Sequence, residues 1–140
     1  MTDRTLQYDT DETKPEPRMW LFIRTDLPMP PGKLAAQAGH GYATCLWLSE
    51  KHNPELVADY MGGEHGKIAV SVRHEEELLQ CVEACKAAGL MAVAIQDAGH
   101  TVFAKPTWTV GAVGPCFRAE LPKKVLRLRL FENWQAPDGG

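Results

Sequence analysis

The stretch KIAVSVRHEEELLQCVEACKAAGLMAVAI, residues 67–95, decides the fold. Its opening segment, Lys67 to Val72, alternates β-branched and small residues and reads as a strand. Glu75 to Ala88 reads as a helix, because its acidic first turn complements the helix dipole and Gly89 closes its end. Leu78, Cys81, Val82 and Cys85 recur along it at helical period and mark the face turned to a core. Leu90 to Ile95 is apolar again and reads as a further strand. Strand, helix and strand in this order are the crossover unit of a parallel α/β sheet.

Working upstream, Trp20-Leu21-Phe22-Ile23-Arg24 suits a buried strand, and Pro28, Pro30, Pro31 and Gly32 then force a loop. Lys33 to about Lys51 holds good helix formers and stops at Asn53-Pro54. A short helix, Pro54 to Met61, starts with proline in its first turn and ends at Gly62-Gly63. Downstream, Thr109 to Val113 and Val125 to Phe131 read as strands. In the second of these Leu126, Leu128 and Leu130 alternate with Arg127 and Arg129, so one face is expected inside and the other wet. Those arginines either guard a sheet edge or meet a nucleic acid. A largely parallel sheet with helices on its faces is the expectation.

A chain of 140 residues, 44% hydrophobic and 24% charged, is the size of one globular domain. Residues 1–18 are polar and acidic and read as a flexible N-terminal tail; the folded domain is expected over 19–131, with a C-terminal tail over 132–140. No apolar run is long enough for a membrane span, and the start lacks a basic-then-apolar signal, so no membrane partner and a cytoplasmic location are expected. Cys45, Cys81, Cys85 and Cys116 lack paired metal-ligand spacing and are expected as buried reduced thiols. The net charge of −3 argues against a polyanionic partner, yet Arg118, Lys123, Lys124, Arg127 and Arg129 cluster near the end against Glu120 alone.

In such sheets ligands bind beyond the carboxyl ends of the strands. Two segments fall there: Gly32-Lys33-Leu34-Ala35-Ala36-Gln37-Ala38-Gly39-His40 after the first strand, and Asp97-Ala98-Gly99-His100-Thr101 after the third. Lys33, Gln37, His40, Gly41 and Thr44 share one side of a helix by spacing. Lys33 is either a solvated lysine at the helix start or, because a cation there is electrostatically disfavoured, one that meets a phosphate or a developing oxyanion. Asp97 either starts a loop or orients a water by accepting its proton. His40 is a base, a ligand or a hydrogen-bonding partner, and Thr109 a site residue or simply a strand former.

Arg24-Thr25-Asp26-Leu27, Met29, Gly32-Lys33, Ala35-Ala36-Gln37, His40, Glu75-Glu76-Glu77-Leu78, Ala88-Gly89-Leu90, Asp97-Ala98-Gly99, Thr101, Ala104, Thr109-Val110 and Gly114-Pro115 together resemble the peptidyl-tRNA hydrolase type 2 family, from Met19 to about Phe131. The resemblance implies a three-layer α/β/α sandwich with a mixed, mostly parallel sheet. It further implies a homodimer that hydrolyses the ester of peptidyl-tRNA with no metal and no cofactor. It puts Lys33, Asp97, Thr101 and Thr109 at catalytic positions, and Gln37, His40, Gly99, His100 and Lys105 at substrate-binding ones. Asp97 would serve the water, Thr101, Thr109 or backbone N–H groups the oxyanion, and Lys33 the phosphate.

Departures from the family pattern are Pro28, Pro30 and Pro31 before the helix, His100 after Asp97-Ala98-Gly99, Trp108 before Thr109, and Pro122 within an expected helix. Most of them remove positive charge. They leave two competing expectations, a non-catalytic binding or regulatory domain on the same scaffold and an esterase for a small non-nucleic substrate, the latter suited to Phe103 and Trp108.

Overall fold

A computed structural model describes residues 15–100 and 102–132. In chain order it holds β1 (Arg18–Arg24), α1 (Pro31–His52), α2 (Pro54–Gly62), β2 (Lys67–Val72), α3 (Glu75–Ala87), β3 (Ala92–Asp97), β4 (Thr107–Cys116) and α4 (Lys123–Leu126), with a 3-10 turn over Arg118–Glu120. The sheet order is β2-β1-β4-β3. β1 is parallel to β2 and antiparallel to β4, which is antiparallel to β3. The strands β1, β2 and β3 therefore point the same way, as the crossover reading requires. β4 slots between β1 and β3 in the opposite sense, so the sheet is mixed and its parallel neighbours are β1 and β2.

Burial on both faces explains the unbroken apolar run of β1. Met19, Leu21 and Ile23 pack with Cys45 of α1, Tyr60 of α2, and Val110 and Ala112 of β4. Trp20 and Phe22 point the other way, into a cluster with Val70, Val72 and the α3 stripe Leu78, Cys81, Val82 and Cys85. The three layers are thus α1 with α2, the sheet, and α3 with α4. All four cysteines are free and buried, as their spacing implied. Burial pushes the thiols of Cys45, Cys85 and Cys116 up to about 12 and that of Cys81 to about 11.

Local chemistry sets the helix ends. Pro31 opens α1 at a position whose N–H would be unbonded anyway, and Lys51 and His52 favour its last turn. Asn53 ends α1 and begins α2, its side chain accepting the Leu56 N–H at 3.2 Å. The α3 acids Glu75, Glu76 and Glu77 follow His74, whose Nδ1 accepts the Glu77 N–H at 3.2 Å.

One expected strand is not formed. Instead of a strand over Val125 to Phe131, Pro122 starts the short helix α4, whose Val125 is buried. The chain then runs as a strap along the outer edge of β2. Ser71 N–H donates to the Arg129 carbonyl at 2.8 Å, Phe131 N–H donates to the Ala69 carbonyl at 2.9 Å, and Leu130 makes a single bridge to Val70. The alternation of leucines misled the reading because Leu126 and Leu130 are solvent-exposed, at 37% and 62%, and only Leu128 packs on the core. Pro122 does interrupt helix here, leaving the 3-10 turn before it and α4 after it.

Candidate functional site

The carboxyl ends of β1 and β3 bring Lys33 and Asp97 into a direct ion pair, Lys33 Nζ to Asp97 Oδ1. Both side chains are mostly enclosed, at 15% and 10% exposure. The misplaced cation at the start of α1 is thereby matched by a carboxylate from a different part of the chain. Asp97 Oδ2 accepts the Gly99 backbone N–H at 2.9 Å. The hydrogen bond from Lys33, then the Gly99 N–H and the neighbouring positive charge, hold the Asp97 carboxyl below the usual carboxylate range. It is ionised at neutral pH. Phe103 closes one side, with Lys33 Nζ 5.9 Å from its ring centroid.

Gly99 is what the loop requires at this point. Its φ is +86°, and a Cβ there would lie 2.5 Å from the Lys105 carbonyl carbon. Only a residue without a side chain lets the Asp97 loop turn tightly enough to aim its N–H at the carboxylate while Lys105 passes over it.

Gln37, one turn after Lys33, is 4% exposed and faces Thr109, which is fully buried. Thr109 Oγ1 donates to Gln37 Oε1 and lies 3.4 Å from the Ile95 carbonyl. Thr109 reaches this position through a bulge. Ile95 pairs with Val110 while Gln96 pairs with Trp108, so Thr109 is an extra residue in β4. The bulge turns Thr109 and Val110 toward the same helix, α1, which strict alternation would forbid. Further along α1, Ser49 Oγ donates to the Gly114 carbonyl at 2.7 Å, and Cys45 Sγ lies 3.3 Å from the same oxygen. Gly41 lies between these anchors, where a Cβ would fall 2.7 Å from Leu21 Cδ1. The buried ridge of α1 is therefore Gln37, Gly41, Cys45 and Ser49.

The structure brings Lys33, Asp97 and Gly99 together in one cluster, and Gln37 and Thr109 in another just beneath the same helix. His40, placed by spacing on that side of α1, is exposed and outside the buried ridge, and His100 and Lys105 are exposed on the β3–β4 loop. Thr101 lies outside the described residues. Trp108 packs with the α3-side core, across the sheet from α1.

Arg24 was not singled out from sequence as a site residue. Its guanidinium clamps Asp26 with two hydrogen bonds of 2.9 and 2.7 Å and donates to the Trp108 carbonyl at 2.9 Å, tying the β1–α1 loop to β4. Its signal was the opposite charges two residues apart at a strand end. Arg24 and Leu27 border a cleft of about 460 Å³ that Phe103, Lys105, Pro106 and Glu75 complete. On their other side, Met29, Pro30, Leu34 and Phe131 line a second cleft of about 440 Å³. Among the described residues no helix is long and apolar enough to cross a membrane.

The profile of the family described as "Peptidyl-tRNA hydrolase PTH2" matches residues 17–131. A peptidyl-tRNA hydrolase of Methanocaldococcus jannaschii is 35% identical over 114 residues, which are 81% of this chain and 99% of that protein. The mitochondrial peptidyl-tRNA hydrolase 2 of Bos taurus is 36% identical over 83% of this chain, a match spanning 65% of its own length. The human mitochondrial protein of the same name is 35% identical with the same coverage.

Proposed function

Because the chain belongs to the peptidyl-tRNA hydrolase PTH2 family, we propose that it hydrolyses the ester joining a peptide to the 3′ ribose of tRNA, with Asp97 and Lys33 at the reacting atoms. The observation that carries this reading is the Lys33–Asp97 pair at the carboxyl ends of the strands. An ionised carboxylate has about four acceptor positions. Asp97 engages Lys33 and the Gly99 N–H and keeps capacity for a water. The water attacks the ester carbonyl as Asp97 takes its proton. The Lys33 ammonium offsets the negative charge that develops on the carbonyl oxygen. Collapse breaks the bond to the 3′ oxygen, which leaves as the hydroxyl after receiving the proton from Asp97.

Gln37 and Thr109 act one step back, as positioning residues, since Thr109 is fully buried and its hydroxyl is engaged by Gln37. Thr101 is assigned to the oxyanion on the family likeness alone. His40, Gly99, His100 and Lys105 border the approach of the substrate, and the cleft beside Phe103, Leu27 and Pro106 has the apolar lining a peptide side chain would use. The resemblance to the family also implies a homodimer, which light scattering tests; a cytoplasmic location is proposed beside it, and cell fractionation tests this against the mitochondrial location that the bovine and human relatives are named for.

The family relationship favours this reading over a non-catalytic domain or a small-molecule esterase. Pro31 opens α1 and so has a structural role of its own, and Trp108 belongs to the α3-side core rather than to a substrate pocket. Turnover of labelled peptidyl-tRNA by the purified chain is the decisive measurement. Release of intact tRNA and free peptide is expected; no release at substrate saturation would refute the assignment.

A further inference from the structure

Lys123, Lys124, Arg127 and Arg129 all lie exposed on α4 and the strap that follows it. Among the described residues Arg24, Lys33, Arg73 and Lys86 form ion pairs with carboxylates. Lys123, Arg127 and Arg129 do not, and Lys124 donates to the neutral Gln80. Four cations with no carboxylate partner among the described residues, in a chain of net charge −3, concentrate positive potential on one edge. Guarding that edge against strand pairing would need less, because the strap already covers β2 with backbone hydrogen bonds.

The position of this edge relative to the site can be read from the sheet. Arg129 lies opposite Ser71, so the strap runs antiparallel to β2 with Arg127 toward the carboxyl end, the end at which Asp97 sits on β3. The order from one edge to the other is strap, β2, β1, β4, β3. Four spacings of about 4.8 Å put the strap roughly 19 Å from Asp97. Stacked nucleotides advance about 3.4 Å per strand, so this span equals about five to six of them.

Building on the hydrolase reading, we propose that Lys123, Lys124, Arg127 and Arg129 seat the sugar-phosphate backbone of the paired acceptor stem, while the unpaired 3′ end crosses β1 and β4 to reach Lys33 and Asp97. The ester is then held beside the start of α1 and the stem around the sheet edge, where α4 packs against α3. The strap reads the polyanion by charge, without regard to its bases.

The test is the variant Lys123→Gln/Lys124→Gln/Arg127→Gln/Arg129→Gln, compared with wild type on full-length peptidyl-tRNA and on a peptidyl ester of the 3′-terminal trinucleotide, which is too short to reach the strap. KM for the full-length substrate should rise by about tenfold or more, and the slope of log binding constant against log salt should flatten by about 3, the sum for four lost phosphate contacts. kcat/KM on the trinucleotide ester should match wild type. A conservative Arg127→Lys/Arg129→Lys variant should retain full-length binding, and matching thermal melts establish that both variants are folded. Anisotropy with deacylated tRNA reads the strap without any hydrolysis. If wild type binds that tRNA in a strap-dependent way but hydrolyses neither ester, the strap stands and the catalytic reading falls. Equal loss on both esters, tRNA binding unchanged in the variant, or wild-type binding to anionic vesicles but not to tRNA overturns the proposal.

Discussion

Thr109→Val removes one hydroxyl at the point where α1 meets the bulge of β4, and its cost follows from what is left behind. Valine fills nearly the same space, so no cavity forms. Gln37 is 4% exposed and loses the donor to its Oε1, leaving a desolvated acceptor. Stranding a buried polar group costs about 1–3 kcal/mol. For a chain of this length each kcal/mol moves Tm by about 3–5 °C, so a fall of roughly 3–15 °C is expected. Gln37→Met removes the other partner, but Thr109 keeps the Ile95 carbonyl 3.4 Å away, so that variant should lose less, about 0.5–1.5 kcal/mol. The double variant strands neither group, and its loss should fall short of the sum by about 0.5–3 kcal/mol. Urea unfolding of all four proteins at constant m-value measures this coupling. Because Lys33 sits one turn before Gln37, Thr109→Val should also lower kcat by roughly ten- to a hundredfold through misplacement of the ammonium. Additive losses, within about 0.5 kcal/mol, would refute the claim that this hydrogen bond fixes helix to strand.

The carboxyl carbon of Asp97, followed by NMR, should titrate below the usual carboxylate range and move up toward it in Lys33→Met, because Lys33 is the foremost cause of the depression. A depressed folded pKa contributes stability that is present above the unfolded value and lost as pH falls through the folded one. Wild type should therefore lose more stability on acidification than Lys33→Met, and equal loss in the two proteins would sink the argument. The thiols of Cys45, Cys81, Cys85 and Cys116, raised to about 11 or 12 by burial, should resist iodoacetamide at pH 8 in the native protein. All four should react once it is unfolded in urea; rapid native labelling of any of them would show that site to be open.

Much of the fold was legible because its signals are local. The α3 stripe, its acidic start, the Asn53-Pro54 break and the doubly apolar β1 each follow from residues a few positions apart, and each stands where it was expected. The position of β4 was not legible, since insertion between β1 and β3 is decided by packing on both faces of the strand, Val110 and Ala112 on the α1 side and Val113 and Cys116 on the α3 side, rather than by any pattern within residues 107–116. The bulge at Thr109 is equally silent in sequence, because an extra residue is visible only against its partner strand. The strap misread as a strand shows the converse fault: a period of two in Leu126, Leu128 and Leu130 arose in a segment that pairs at a single bridge. Lys33 and Asp97 were each identifiable by position at a strand end, but their pairing needed the sheet order.

That pairing bears on where affinity for a polyanion comes from. Lys33 is offset by Asp97 and Arg24 by Asp26, so both of these cations are matched by carboxylates. A pair of opposite charges projects little field beyond a Debye length of about 8 Å at physiological salt. These pairs thus supply geometry and local stabilisation, and attraction of the tRNA falls to the cations outside them, exposed Lys105 on the β3–β4 loop and those of α4 and the strap. Asp97→Asn separates the two contributions. The amide keeps the size of the side chain but cannot take the water's proton, so kcat should fall by about 10²–10⁴-fold. It also removes a negative charge from beside Lys33, so binding of peptidyl-tRNA should tighten and the salt dependence of binding should steepen. Single-turnover kinetics together with anisotropy binding at two salt concentrations measure both quantities. Weaker binding in Asp97→Asn at an unchanged kcat would make Asp97 a substrate-holding residue and would remove it from the proton transfer.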